Sequence, residues 1–315
     1  MQVRTIFCAL LAAIVLTPAT ALADLPLTVE DLLTAQNRWR GELGVNYANV
    51  ESQGVSAGQA VAVQVSPTQF VAIPTQIGAS RFNTDTVVLS PALRYGISAN
   101  TEAYGRATWF NSSTRIQDLN GLTSQSTSRF ESLWLGLNHK LVEEGKHPAV
   151  LGFVEIAAAE KSQLPSATDT RMVNGKSALL GATTYRVFDP IVLALTAAYH
   201  LNAPRTLAGQ SYRPGNYLML NPSMAFSVNN DISLSAGIQW RNQRADRVNG
   251  QAQSLFRTST DLSLGLALQW DERSTLNFSS TANLSGGGGA GFGLTWSSKL
   301  GELPPRKLPS KPSAQ

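Results

Sequence analysis

Segments of about ten residues, apolar at every second position, recur along most of this chain. Leu262, Leu264, Leu266, Leu268 and Trp270 share one parity, while Asp261, Ser263, Gly265, Ala267 and Gln269 share the other. Ile232, Leu234, Ala236, Ile238 and Trp240 alternate in the same way with Ser233, Ser235, Gly237, Gln239 and Arg241. Side chains of a strand point to opposite faces in turn, so each segment is a ribbon with one apolar and one polar side. Repetition from residue 39 to the end predicts an all-β fold: a transmembrane antiparallel up-and-down β-barrel, apolar outside and polar inside. A ten-residue strand rising ~3.3 Å per residue and tilted ~45° spans the apolar height of a membrane. A soluble antiparallel sandwich also alternates, but the leader, strand length, loop asymmetry and aromatic placement of this chain weigh against it.

The N-terminus has the composition of a secretory signal over residues 1–23. One charge, Arg4, precedes the apolar run Ile6–Leu16, and small residues end in Ala21-Leu22-Ala23, with cleavage expected before Asp24. Cys8, the single cysteine, lies inside that run, so the mature chain has neither a disulfide framework nor a thiolate metal site. No other segment is a candidate transmembrane helix, and the mean hydropathy of −0.06 suits strands half exposed to water. The net charge of +4 is spread along the chain and gives no sign of nucleic-acid binding.

Twelve strands are expected, at about 39–50, 85–98, 101–111, 127–140, 148–159, 176–188, 191–202, 215–228, 231–242, 257–270, 273–284 and 290–300. The connections alternate. Segments 51–84, 112–126, 160–175, 203–214 and 243–256 are long and polar, whereas 99–100, 189–190, 229–230 and 271–272 are tight turns. A medium turn at Val142–Lys146 and a compact loop at Gly286–Gly289 complete the series. Outer-membrane barrels have short periplasmic turns, longer external loops and an even strand number. With the first strand rising from the periplasm, Trp39, Tyr95, Tyr185, Trp270 and Trp296 form a lower aromatic girdle, and Tyr47, Trp109, Tyr199 and Trp240 an upper one. Trp134 breaks this scheme, because Leu133, Leu135 and Leu137 claim the outer face of its strand.

Two segments stand outside the barrel pattern of residues 39–300. Within 24–38, Leu25–Ala35 reads as a short helix capped by Thr28, with Val29, Leu32 and Leu33 as its apolar stripe. It is either a plug for the barrel or a frayed leader to the first strand. The tail 301–315 is Pro-rich and basic and is expected to be disordered.

No catalytic constellation can be assembled, and neither a metal site nor a cofactor is expected. His139, His147 and His200 lack partners at metal-ligand spacing, and none pairs with a serine on one strand face. Ser285–Gly293 (SGGGGAGFG) lacks the Lys-Ser/Thr of a phosphate loop and reads as a hairpin tip. The inward parity is richer: it places Arg40, Glu42, Arg94, Glu102, Arg106, Glu155, Arg186, Arg241 and Asp261 toward the lumen. These charges form either a neutralised network that braces the wall or a constriction that sets selectivity. In the first external loop, residues 60–65 and 69–73 flank Ser66-Pro67-Thr68 as a hairpin, which extends the first strands or serves as a lid or docking edge.

The stretches LPLTVEDLLT (25–34), RWRGELGVNYANVESQGV (38–55), FVAIPTQIGASRFNTDTVVLSPALRYGIS (70–98), AYGRA (103–107), HPAVLGFVEIAAAEK (147–161) and GKSALLGATTYRVFDPIVLALTAAYHLN (175–202) carry a resemblance. They resemble the outer-membrane channel of the Fap functional-amyloid export system and the wider meta-pathway phenol-degradation barrels. The resemblance implies a twelve-stranded, trimeric barrel with its plug near Leu25–Ala35. It also implies either export of an amyloid-type polypeptide subunit or passive uptake of small hydrophobic or aromatic solutes. The periplasmic coiled coil of the Fap channel has no counterpart between the expected cleavage site and Trp39. A structural or adhesive barrel without conductance is the remaining alternative, and outer-membrane lipid is the partner common to all of them.

Overall fold

The computed structural model describes residues 32–301, apart from 53–54, 57–60, 67–68, 74–77, 80, 119–120, 165–169 and 286–288. The signal peptide, the helical residues expected before 32 and the tail after 301 lie outside the described residues. Twelve long strands are present: β1 (Trp39–Ser52), β2 (Arg81–Ser98), β3 (Thr101–Asp118), β4 (Gly121–Val142), β5 (Ala149–Gln163) and β6 (Ser177–Phe188). They continue as β7 (Ile191–Asn202), β8 (Tyr217–Asn229), β9 (Ile232–Gln243), β10 (Arg257–Gln269), β11 (Ser274–Asn283) and β12 (Gly289–Leu300). Each strand pairs antiparallel with its sequence neighbours. The sheet closes where β1 meets β12, from Trp39↔Leu300 to Val50↔Gly289. Closure leaves no unpaired edge in the wall, which is the condition for a sheet to cross lipid.

Alternation sets the two faces. Leu43, Val45, Val87, Leu89, Leu135 and Leu137 are exposed on the outer surface, whereas Asn46, Thr86, Ser90, Thr108, Asn138 and Thr196 are buried inside. Trp134 is 8% exposed and points inward, so the misfit residue of the sequence pattern belongs to the interior.

At the short-turn end the chain reverses at 99–100, 189–190 and 230–231, with slightly longer links at 143–148 and 270–273. The opposite end departs from the expected loops in two ways. Segment 112–126 is largely strand, because β3 and β4 remain paired up to Asp118↔Gly121. At ~3.3 Å per residue the 22 residues of β4 cover about 70 Å, far beyond a membrane. The loops after β7 and β9 are also ordered. Arg205–Leu207, Gln210–Arg213, Arg247–Val248 and Gln251–Ala252 pair as a small four-stranded sheet. In the first loop Val61–Ser66 pairs with Gln69–Ile73, as the expected hairpin.

No helix is present among the described residues. Leu32 to Ala35, expected to end a helix, are bends and irregular chain. The physical reason is what their backbone bonds to: the Thr34 N–H is given to the Glu102 carboxylate (2.8 Å) and the Asn37 N–H to the Gly96 carbonyl (2.7 Å). Gln36 makes a parallel bridge to Gly96, so the chain before β1 folds back into the short-turn mouth as an extended strap.

Candidate functional site

The interior is divided into a filled half and an open half. The filled half begins with an ionic ladder across neighbouring strands. Arg94 on β2 is held between Glu42 on β1 and Glu102 on β3, each at 2.7 Å. Glu102 also accepts from Asn138 Nδ2 on β4 (2.7 Å) and from the Thr34 N–H of the strap (2.8 Å). One step along β3, Tyr104 Oη (2.7 Å) and Arg106 Nη2 (2.8 Å) both donate to Glu155 on β5. They reach it across β4 because Gly136 lies between; a Cβ there would occupy the place of the Tyr104 ring. Glu102 and Glu155 are 0% and 1% exposed, so these bonds replace nearly all of their water.

Above the ladder the interior is packed. Trp134, Phe153, Ala157, Leu179, Ala198 and Met219 form one buried cluster, with Tyr217 against it. His200 stacks on Tyr217 at 4.6 Å and 9° and lies 5.6 Å from Trp134. Arg106 lies 5.4 Å over the Trp134 ring and Arg241 lies 5.9 Å over Tyr217. The Phe153 ring is accommodated by Gly181, whose missing side chain leaves room for it.

The open half is built from small residues on β8 to β12 and β1. A Cβ on Gly265 would strike Ser235 Oγ, and one on Gly293 would strike Asn46 and Ser279. One on Gly237 would lie 3.1–3.2 Å from Ser223, Ser263 and Asn221. Short polar side chains thus lean over glycines of the next strand along this stretch, and the longer inward groups of these strands, Arg40, Met219, Gln239 and Arg241, lie at its margins or beyond it. A cavity of about 220 Å³ results, bounded by Ser263, Ser279, Thr295 and Asn221 on this side and by Leu32, Arg40, Glu42 and Arg94 near the strap. At ~30 Å³ per molecule that is room for about seven waters, below the size of a drug-sized pocket.

The residues singled out from sequence divide accordingly. Arg40, Arg94, Glu102, Arg106, Glu155 and Arg241 are buried inside the barrel; Glu42 pairs with Arg94, and half-buried Asp261 accepts from Asn283 (2.7 Å). Arg186 is a correction. It is exposed on the outer wall, on the same face as Phe188, with its guanidinium 5.6 Å over that ring. Tyr185 is the matching correction: it lines the cavity and leaves the lower girdle. β6 is apolar or neutral on both faces, and an arginine two residues from the strand end can reach the interfacial water with its head. The other lower-girdle residues, Trp39, Tyr95, Trp270 and Trp296, and the upper ones, Tyr47, Trp109, Tyr199 and Trp240, have the outward parity; Trp39 and Tyr95 touch at 4.7 Å. Leu32 lines the cavity and Leu33 is half-buried, neither of them helical, while Val29 lies outside the described residues.

Sequence reading missed Asn221, Tyr217 and His200 as interior groups, and it missed the ordered loop sheet. Leu164, Leu207 and Tyr212 form a second buried cluster there, with Val248. Burial, followed by the nearby Asp246 carboxylate, pushes the Tyr212 phenol above its usual range. At the opposite end, Asp271 is held below the usual carboxylate range, chiefly by the Arg273 N–H. Arg205 enters the barrel mouth, pairing with Glu160 (3.3 Å) and donating to Ser162, Ser177 and Asn202. Arg205→Ala leaves Glu160 without that ion pair and unpins the loop. Trypsin cleavage at exposed Arg247, on the strand that pairs with Gln210–Arg213, is then expected to rise about ten-fold or more, as charged hydrogen bonds are lost.

Neither a protein-family model nor a curated protein sequence matches the chain. Solved structures do. The COG4313 outer membrane channel from Pseudomonas putida F1 matches with a TM-score of 0.55 at 12% identity, over 90% of this chain and 100% of that one. The translocator domain of the autotransporter NalP from Neisseria meningitidis matches at 0.50 and 11% identity, over 85% of this chain and 90% of that one. The monoaromatic hydrocarbon channel CymD matches at 0.43 and 9% identity, over 85% and 90%. The chain therefore has the fold of bacterial outer-membrane β-barrel channels.

Proposed function

We propose that this chain is a passive channel of the bacterial outer membrane that takes up small solutes through the open half of its lumen. The observation that carries this reading is the cavity itself: one side of a closed barrel is built largely of Gly, Ala, Ser and Thr, so it holds space where its other side holds packed rings. A filled structural barrel would place large side chains on both sides. Exposed apolar residues of the wall, between two aromatic girdles, are the surface offered to lipid, and residues 1–23 are the leader removed on the way there.

Uptake of a small molecule suits this lumen better than export of a polypeptide, the other activity suggested by resemblance to the Fap and phenol-degradation barrels. A threaded chain would need both the strap and the Trp134–Met219 cluster cleared from its path. The test is reconstitution of the signal-cleaved chain in planar bilayers, with folding verified by faster migration of unboiled protein on a detergent gel. Discrete, small conductance steps are expected. Silent bilayers from folded protein would overturn the channel reading in favour of a structural barrel.

A further inference from the structure

We infer that the exposed face of the loop sheet is a docking site for a phosphorylated glycolipid of the outer leaflet, gripped by Arg213 and Arg247. This goes beyond the channel reading and needs only the membrane barrel. Arg213 and Arg247 are cross-strand partners in the small sheet above the barrel. Alternation puts Arg205, Leu207 and Tyr212 on its buried face, so Thr206, Ser211, Arg213 and Arg247 share the exposed one. Two cations directly opposite in an antiparallel pair destabilise it. The sheet does not depend on them. Leu164, Leu207, Tyr212 and Val248 pack its other face, and Asn249 is tied to Ser211 by hydrogen bonds in both directions (2.9 and 2.7 Å).

The charges around the pair do not cancel it. Segments 203–216 and 243–256 hold four arginines and one carboxylate. Arg205 is paired with Glu160, and the carboxylate, Asp246, is taken by the Gly215 N–H (2.7 Å) and by Arg257 (3.4 Å). Arg213, Arg244 and Arg247 are exposed, and none of them has an ion pair among the described residues. Arg244 belongs to the same corner: its N–H is given to the Asn216 carbonyl (2.9 Å), and its backbone lies against Gly215. Two guanidinium forks side by side match a phosphate, whose oxygens accept several N–H donors at once.

Height and apolar surface point to a lipid as the source of that phosphate. Arg244 follows Trp240 of the upper girdle by four residues, about 13 Å of strand, which brings it to the headgroup layer. At the same level Leu255 and Phe256 are 84% and 61% exposed, just before β10, whose Arg257 pairs with Gln243 of β9. Bare apolar side chains at the level of unpaired arginines suit an amphiphile, with its phosphate on the forks and its acyl chains along Leu255 and Phe256. Inorganic phosphate would leave both apolar side chains in water.

The experiment is native mass spectrometry of the full signal-cleaved chain in detergent. It is titrated with bis-phosphorylated lipid A, with the same lipid stripped of both phosphates, and with inorganic phosphate as competitor. The phosphorylated lipid is expected to bind about ten-fold or more tightly than the stripped one, and inorganic phosphate is expected not to displace it. In the double variant Arg213→Gln with Arg247→Gln, affinity is expected to fall about 25-fold, at about five-fold per arginine. If that variant fails to fold, Arg247→Glu is read instead; it sets a carboxylate opposite Arg213, so the strands stay paired and binding is lost. Lys146→Gln with Arg273→Gln, at the short-turn end, should bind as the parent does. Equal affinity for the two lipids, arginine variants that bind like the parent, or an equal fall in the short-turn control would overturn the site. Displacement by inorganic phosphate would overturn the lipid as ligand in favour of a free anion. Bilayer conductance is untouched by any of these outcomes, so the channel stands or falls separately.

Discussion

Replacing Glu155 by alanine is expected to destabilise the barrel by about 3–5 kcal/mol, the range found when one partner of a buried ion pair is removed. Its carboxylate is 1% exposed and is met by Tyr104 Oη and Arg106 Nη2 at 2.7 and 2.8 Å. Removing it leaves the Arg106 charge buried, with the Trp134 ring 5.4 Å away as a remaining neighbour. It also takes the Glu155 acceptor from the Tyr104 hydroxyl, on a ring that already crosses β4 above Gly136. Urea unfolding in lipid vesicles, followed by loss of the fast-migrating band, measures the change. Glu155→Gln, which keeps an acceptor for Tyr104, should lose less. The double change Arg106→Met with Glu155→Leu should recover most of the loss, because neither charge then remains to be desolvated. A single variant as stable as the parent would show that the ladder contributes nothing to the barrel.

Much of this fold is legible in the chain because membrane strands obey one strict rule. Each side chain must meet either lipid or the lumen, so parity errors are costly and the pattern stays clean. β10 shows it well: Leu262 to Leu268 on even positions, Asp261 to Gln269 on odd ones. Trp134 was identifiable as inward from its three leucine neighbours alone, and its contacts with Arg106 and His200 show why a large ring is tolerated inside.

Legibility fails where the rule relaxes. β6 carries Leu179 and Leu180 on opposite faces and ends near the membrane boundary, where an arginine can sit outside at little penalty. Arg186 and Tyr185 therefore exchange faces relative to the sequence pattern. Above the membrane, Arg205–Leu207 and Gln210–Arg213 are too short to give an alternating signal, and they are strands because they pair with each other and with Arg247–Val248. The site is less legible than the fold for a further reason. A cavity is made by what is missing, and the glycines that create it read in sequence only as weak spots in a strand. The strap at residues 32–38 misleads in the opposite sense: Leu32 and Leu33 follow Val29 at helical spacing, but Glu102 and Gly96 take the strap's backbone hydrogen bonds.

That strap is the basis of the second large effect: Gly96→Val is expected to raise single-channel conductance several-fold. Gly96 lies on the inner face of β2 at the short-turn mouth. Its carbonyl accepts from the Asn37 N–H (2.7 Å), and its own N–H donates to the Arg38 carbonyl (3.0 Å). The carbonyls of Thr34 and Ala35 lie where a side chain on Gly96 would have to go. Those atoms are backbone, so no rotamer change can make room and the strap must lift away. With it goes Leu32, which lines the cavity near Arg40 and Glu42. The barrel wall should survive, since valine suits a strand and the β2 pairing to β1 and β3 is made by backbone alone. Glu102→Gln tests the same attachment differently. The neutral amide still accepts from the Thr34 N–H but gives up the charge-assisted bond, so brief openings are expected in place of a lasting one. Equal conductance in the parent, Gly96→Val and a chain lacking residues 24–37 would show that the strap does not obstruct the path. A several-fold rise in both altered chains would identify it as the floor of the channel, held shut by one glycine and one carboxylate.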